Sequence, residues 1–147
     1  MRRIVLTILL CGFAFNANAQ LQPFTDYDIS DSVWSVTTVR VDANMGDFYL
    51  AGLKETWVKS MRLSKELGNV VDFAIYRSQL PLSGDFNLLL VVEFESGAAM
   101  EPSRERYEAF MEKWGEENQK KSEELVQDYP SMRTITGQYN VRKIDIK

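Results

Sequence analysis

Apolar and polar positions along this chain follow two rhythms, one of period two and one near 3.6, and the switches between them mark the elements. Residues 33–41, VWSVTTVRV, are a run of valine, threonine and tryptophan, side chains that fit a pleated strand. Asp42, Asn44 and Gly46 break the run and offer caps to a helix, in which Leu50, Leu53, Trp57 and Met61 recur at three and four. Charged Lys54, Glu55, Lys59 and Arg62 take the other side, and Gly68-Asn69 is a fitting stop. Residues 70–78 alternate, with Val71, Phe73 and Ile75 against Asp72, Ala74 and Tyr76. A turn with Pro81, Ser83, Gly84 and Asp85 leads into extended residues 86–95, and the two runs are predicted to pair as a hairpin. Pro102-Ser103 opens a second helix with Tyr107, Phe110, Met111 and Trp114 on one face. Past Gly115 the stripe thins to Leu125 and Val126 in a charged stretch, which predicts a solvated second half. Tyr129-Pro130 ends that helix, and residues 133–146 read as a last extended segment with Gly137 a candidate bulge or bend.

The resulting order, strand-helix-strand-strand-helix-strand, is the split βαβ arrangement of ferredoxin-like domains. It predicts an α+β fold, a four-stranded antiparallel sheet with both helices on one face. Such a sheet ordinarily alternates apolar with polar, because its far face meets water. The strand at 86–94 departs from this: Phe86, Leu88, Leu90, Val92 and Phe94 form one apolar row, yet Leu89 and Val91 stand on the other. The strand at 33–41 also places Val, Thr or Trp on both sides. Two-fold pairing of two copies, sheet to sheet, would cover the second face and predicts a homodimer. The plainer alternative is a monomer whose far face is merely rich in β-formers.

The first residues carry a different signal. Arg2 and Arg3 precede an apolar run over residues 4–15, and Ala17-Asn18-Ala19 follows, the pattern of a signal peptide cleaved after Ala19. The run is shorter than the roughly 20 residues of a membrane span, and bulky Leu10 before Cys11 disfavours lipoprotein processing. The expected organisation is therefore a signal peptide at 1–19, a polar tether at 20–32, and one domain at 33–147 of a protein exported to the periplasm or beyond, not held in a membrane.

Cleavage changes the chemistry available. Removing Arg2 and Arg3 from the 17 basic residues leaves 15 against 21 acidic, an excess of negative charge that opposes binding to nucleic acid or anionic lipid. Cys11, the one cysteine, leaves with the signal peptide, so the domain is predicted to be held by its core without a disulfide. Histidine is absent, which removes the common ligands of zinc, copper and haem iron together with His-based catalytic machinery. No cofactor and no metal are expected. Acidic pairs such as Glu116-Glu117 and Glu123-Glu124 are spaced as a solvated helix face.

The βαββαβ order, the strand VWSVTTVRV leading through NMGDFYLAGLKETWV into the first helix, and DFNLLLVVEF before the second helix together resemble the dimeric α+β barrel superfamily. The resemblance spans about residues 33–147 and is one of pattern, with no diagnostic short motif. It implies a dimer closing two sheets into a barrel, with a small cavity between each sheet and its helices. The haem-degrading members hold iron through a helix histidine, which this chain lacks. The cofactor-independent monooxygenases need mainly a closed apolar pocket with a few polar groups.

Two functions emerge as expectations. The first is a non-enzymatic binding or structural protein that holds a small apolar ligand or a partner. The alternative is a cofactor-independent monooxygenase or isomerase with an aromatic pocket. Candidate ligand-binding residues are Trp34, Trp57, Tyr107 and Trp114, although Trp57, Tyr107 and Trp114 lie on apolar helix stripes where core packing is the ordinary role. Candidate catalytic residues are Asn87, Asp72 and Tyr76; for Asn87 a turn-side hydrogen bond is an equally good reading. Asp72, Glu93, Arg40 and Arg142 would form either an ion-pair cluster at the barrel seam or a polar pocket.

Overall fold

The computed structural model describes residues 20–80 and 82–147. The expected signal peptide lies outside the described residues. The main sheet contains β2 (Val33–Val41), β3 (Asp72–Arg77), β4 (Leu88–Phe94) and β5 (Arg133–Val141). Its order is β3-β4-β2-β5, and every neighbouring pair is antiparallel. The fold is ferredoxin-like, as the alternation of elements predicts.

The first helical segment is one rod in three parts: α1 (Gly46–Leu53), a π-helical turn (Lys54–Val58) and α2 (Lys59–Glu66). The second is α3 (Arg104–Val126), whose first turn is capped by the Ser103 side chain accepting from the Arg106 N–H at 3.3 Å. At Gly115 the backbone leaves helical geometry, with φ 73° and ψ 160°, a region essentially reserved for glycine. The apolar stripe thins beyond this kink.

Residues 20–32, expected as a polar tether, contain a short strand, β1 (Tyr27–Ile29), paired antiparallel with β6 (Ile144–Ile146). Tyr27 stands opposite Ile146 and Ile29 opposite Ile144, so apolar cross-strand pairs tie this segment to the other end of the chain. The Lys147 N–H adds a bond of 2.9 Å to the Asp26 carbonyl.

Strand register sorts the side chains by face. Val39 and Val41 of β2 and Leu88 of β4 form the buried core with Tyr49, Leu53 and Tyr129, and Ile75 and Leu90 pack against it. Trp34, Val36, Ala74, Tyr76, Leu89, Val91, Tyr139 and Val141 share the opposite row. The apolar residues on both sides of β2 and β4 are therefore on two faces of one sheet, as their spacing implies.

One irregularity alters this sorting. Thr38 pairs with Gly137 but Val39 with Ile135, so Thr136 is an extra residue in β5. The bulge is pinned by Thr38 Oγ1, 2.8 Å from Thr136 Oγ1. By strict alternation Arg133 and Ile135 would share the face of Tyr139. The inserted residue turns both to the helix side.

Asn87 just precedes β4 and extends the sheet by side chain. Its Oδ1 accepts from the Val41 N–H and its Nδ2 donates to the Val41 carbonyl, both at 2.8 Å. Its own N–H donates to the Val39 carbonyl at 3.0 Å. Asn87→Ala is expected to lower stability by about 1–3 kcal/mol, because two half-buried backbone groups lose their partner. Asn87→Asp keeps only the acceptor and is expected to destabilise as well. Urea midpoints unchanged in both variants would show that this clasp contributes nothing.

Candidate functional site

A cavity of about 490 Å³ lies between the sheet and the helices. Its floor is Thr37 and Val39 of β2, Leu90 of β4 and Ile135 of β5; Trp57, Phe110 and Trp114 form aromatic walls. Trp114 is buried and stacks on Phe110 with ring centres 5.6 Å apart, while Trp57 meets Phe73 edge-on at 5.6 Å. Gln119 and Ser122, beyond the Gly115 kink, add polar groups.

One end of the cavity is polar, and the π-helical turn helps to build it. The extra residue per turn presents Thr56 inward, where it is buried and donates to the Gly52 carbonyl at 3.0 Å. Thr56 Oγ1 is also 2.6 Å from the Tyr129 hydroxyl. Tyr129 packs edge-on against Tyr49, ring centres 5.1 Å apart. The close approach depends on Gly52, where an added Cβ would stand 2.9 Å from the Tyr129 ring.

Arg133, turned inward by the bulge, completes this end. Its guanidinium carbon sits 5.8 Å from the centre of the Tyr129 ring, a cation–π distance. Its Nε is buried and has no hydrogen-bond partner among the described residues. Leaving such a donor unsatisfied costs about 1–3 kcal/mol or more. Among the described residues, Arg133 is the one charged residue lining the cavity, and no carboxylate lines it.

Burial pushes the Tyr49 phenol above its ordinary value, opposed by hydrogen bonding and charge from Arg133. Burial likewise raises Tyr129; the Thr56 hydrogen bond lowers it, Tyr49 raises it and Arg133 lowers it again. Each folded value stands above the unfolded one, so the stability linked to these neutral phenols is complete below pH about 10 and is lost as pH rises through the folded values. Urea midpoints are expected to fall above pH 10, and Tyr49→Phe is expected to flatten that fall. An identical decline in the variant would disprove the linkage.

The structure divides the residues singled out from sequence. Trp57 and Trp114 line the cavity. Tyr107 is largely exposed and lines a separate recess of about 400 Å³, which Trp57 also borders. Trp34 and Tyr76 lie in the opposite row of the sheet, away from the cavity. Asn87 is committed to Val41, and Asp72 is exposed and paired with Lys65 at 2.7 Å, which holds its carboxyl below the usual range.

The expected seam cluster does not assemble either. Arg40 donates to the Gly84 carbonyl, and Arg142 to the carbonyls of Ser30 and Asp31. Sequence reasoning passed over Tyr49, Thr56, Tyr129 and Arg133. Nothing local distinguishes them, because they converge from a helix, a π turn, a 3₁₀ turn and a bulged strand.

Among solved structures the chain is similar to HapK from Hahella chejuensis, with 16% identity, 76% of this chain and 91% of that chain covered, and a TM-score of 0.45. Two other neighbours are described as dimeric ferredoxin-like proteins. The one from an uncultured marine organism has 13% identity, covers 80% of this chain and 90% of that chain, and has a TM-score of 0.43. The one from Thermobifida fusca, of unknown function, has 8% identity, 78% and 91% coverage, and a TM-score of 0.39. The assignment of this chain to the ferredoxin-like fold rests on its own strand order. No family model and no curated protein matches the chain.

Proposed function

We propose that this is an exported, non-enzymatic binding protein that pairs as a homodimer and holds a small, largely apolar molecule between each sheet and its helices. The observation that carries the reading is the cavity of about 490 Å³, walled by Trp57, Phe110 and Trp114, with Thr56, Tyr129 and Arg133 brought together in its lining. Pockets of roughly 300–1,000 Å³ with apolar walls and a few placed polar groups are the usual form of a small-molecule site. The residues 1–19 pattern supports export, and the apolar far face of the sheet supports pairing.

The oxygenase or isomerase alternative draws less support. Of its candidate groups, Asn87 lines a separate recess of about 480 Å³ with both side-chain polar atoms bonded to Val41, Asp72 is paired with Lys65, and Tyr76 lies on the opposite face of the sheet. Among the described residues no carboxylate lines the cavity as a base, and the Tyr49 phenol is shifted away from ionisation.

The neutral probe N-phenyl-1-naphthylamine, fluorescent in apolar surroundings, tests the binding role. It is expected to bind the mature protein at one site per protomer and to be weakened at least tenfold by Trp114→Ala in a still-folded variant. Absence of saturable binding would end the proposal.

A further inference from the structure

We infer that the cavity recognises an apolar monoanion, its carboxylate or similar head seated on Arg133 and its ring or chain lying between Trp57, Phe110 and Trp114. This deepens the binding role proposed above and rests on it. Among the described residues Arg133 is the one cation of the lining, and none of the ion pairs includes it. Its Nε has no hydrogen-bond partner among the described residues. A guanidinium offers a planar fork that matches a carboxylate, and charge-assisted bonds of this kind strengthen where water is scarce.

Backbone geometry supports a dedicated position. Arg133 faces inward because Thr136 is inserted in β5. Its guanidinium then rests on the Tyr129 ring, itself fixed by Thr56 and by the close approach over Gly52. An ion pair serving stability alone would bring a carboxylate of this acidic chain to the arginine, yet none lines the cavity. One cation in apolar surroundings selects for one negative charge, since a second would be desolvated without a partner. A neutral ligand would leave the guanidinium unpaired.

Displacement of N-phenyl-1-naphthylamine by 2-naphthoate and by its neutral counterpart 2-naphthamide tests this in the full mature protein. The carboxylate is expected to displace the probe at least tenfold more effectively. Arg133→Met is expected to abolish that preference, and Arg133→Lys to keep part of it. Equal displacement by the two competitors in the wild type overturns the anion inference and leaves the cavity reading standing. A preference that persists in folded Arg133→Met overturns the role of Arg133. Failure of the probe itself to bind removes the cavity reading instead. If Arg133→Met does not fold, the wild-type preference and Arg133→Lys decide: a wild-type preference undiminished in Arg133→Lys also counts against the fork.

Discussion

Leu53→Ala is expected to lower the stability of the domain by about 2–5 kcal/mol, seen as a large fall in the urea midpoint with little change in slope. Leu53 is 2% exposed and packs with Val39, Val41, Tyr49, Leu88 and Tyr129 at the centre of the core. Truncation removes transfer free energy and also enlarges a space that already borders the cavity, where the surrounding aromatic side chains and two strands resist collapse. Phe48→Ala is the control. Phe48 lies on the outer side of α1 at 67% exposure, so its loss is expected to cost no more than about 0.5 kcal/mol. Equal losses at the two positions would mean that α1 is rotated about its axis relative to the sheet.

Leu89→Lys is expected to turn a dimer into a monomer. Leu89 stands in the row opposite the helices, between Thr38 of β2 and Tyr76 of β3, with Val36 and Val91 nearby. Tyr76 and Tyr139, each 55% exposed, and Val141 at 46% leave this face with an apolar surface. In a two-fold assembly each lysine would meet its symmetry mate or a desolvated apolar surface, a cost of several kcal/mol or a loss of affinity beyond about a hundredfold. Light scattering is expected to give twice the protomer mass for the wild type and the protomer mass for the variant. Leu89 is already half-buried in the single protomer, and a lysine stem can cover the same surface with its ammonium in water, so the urea midpoint of the dissociated protein is expected to fall only modestly. A wild type that scatters as a single protomer at high micromolar concentration would refute the pairing.

The order of elements was legible because the forces that set it act over a few residues. Alternation in 33–41 and spacing of three and four through Leu50, Leu53, Trp57 and Met61 reflect which side chains share a face, and Ser103 marks a helix start by its own hydroxyl. Even the bulge had a local signal in Gly137. The β1–β6 ribbon did not. Three-residue strands are too short to show a period, and their apolar partners stand at opposite ends of the chain.

The site was less legible. Asn87 reads as a lone carboxamide in an apolar strand, and only the position of Val41 across the sheet shows that both its polar atoms serve the backbone. Trp57 and Trp114 were identifiable as large aromatics on helix stripes, but Trp34 falls on the other face of the sheet.

By itself the sequence determined the ferredoxin-like order, the two helix faces and the double-sided apolar sheet, because periodicity encodes which residues lie side by side within one element. Only the tertiary structure decided that Tyr49, Thr56, Tyr129 and Arg133 meet. Their meeting depends on one extra residue in a helical turn and one in a strand, each of which re-aims the neighbouring side chains. A periodic pattern records faces within an element, whereas convergence is set by how separate elements pack.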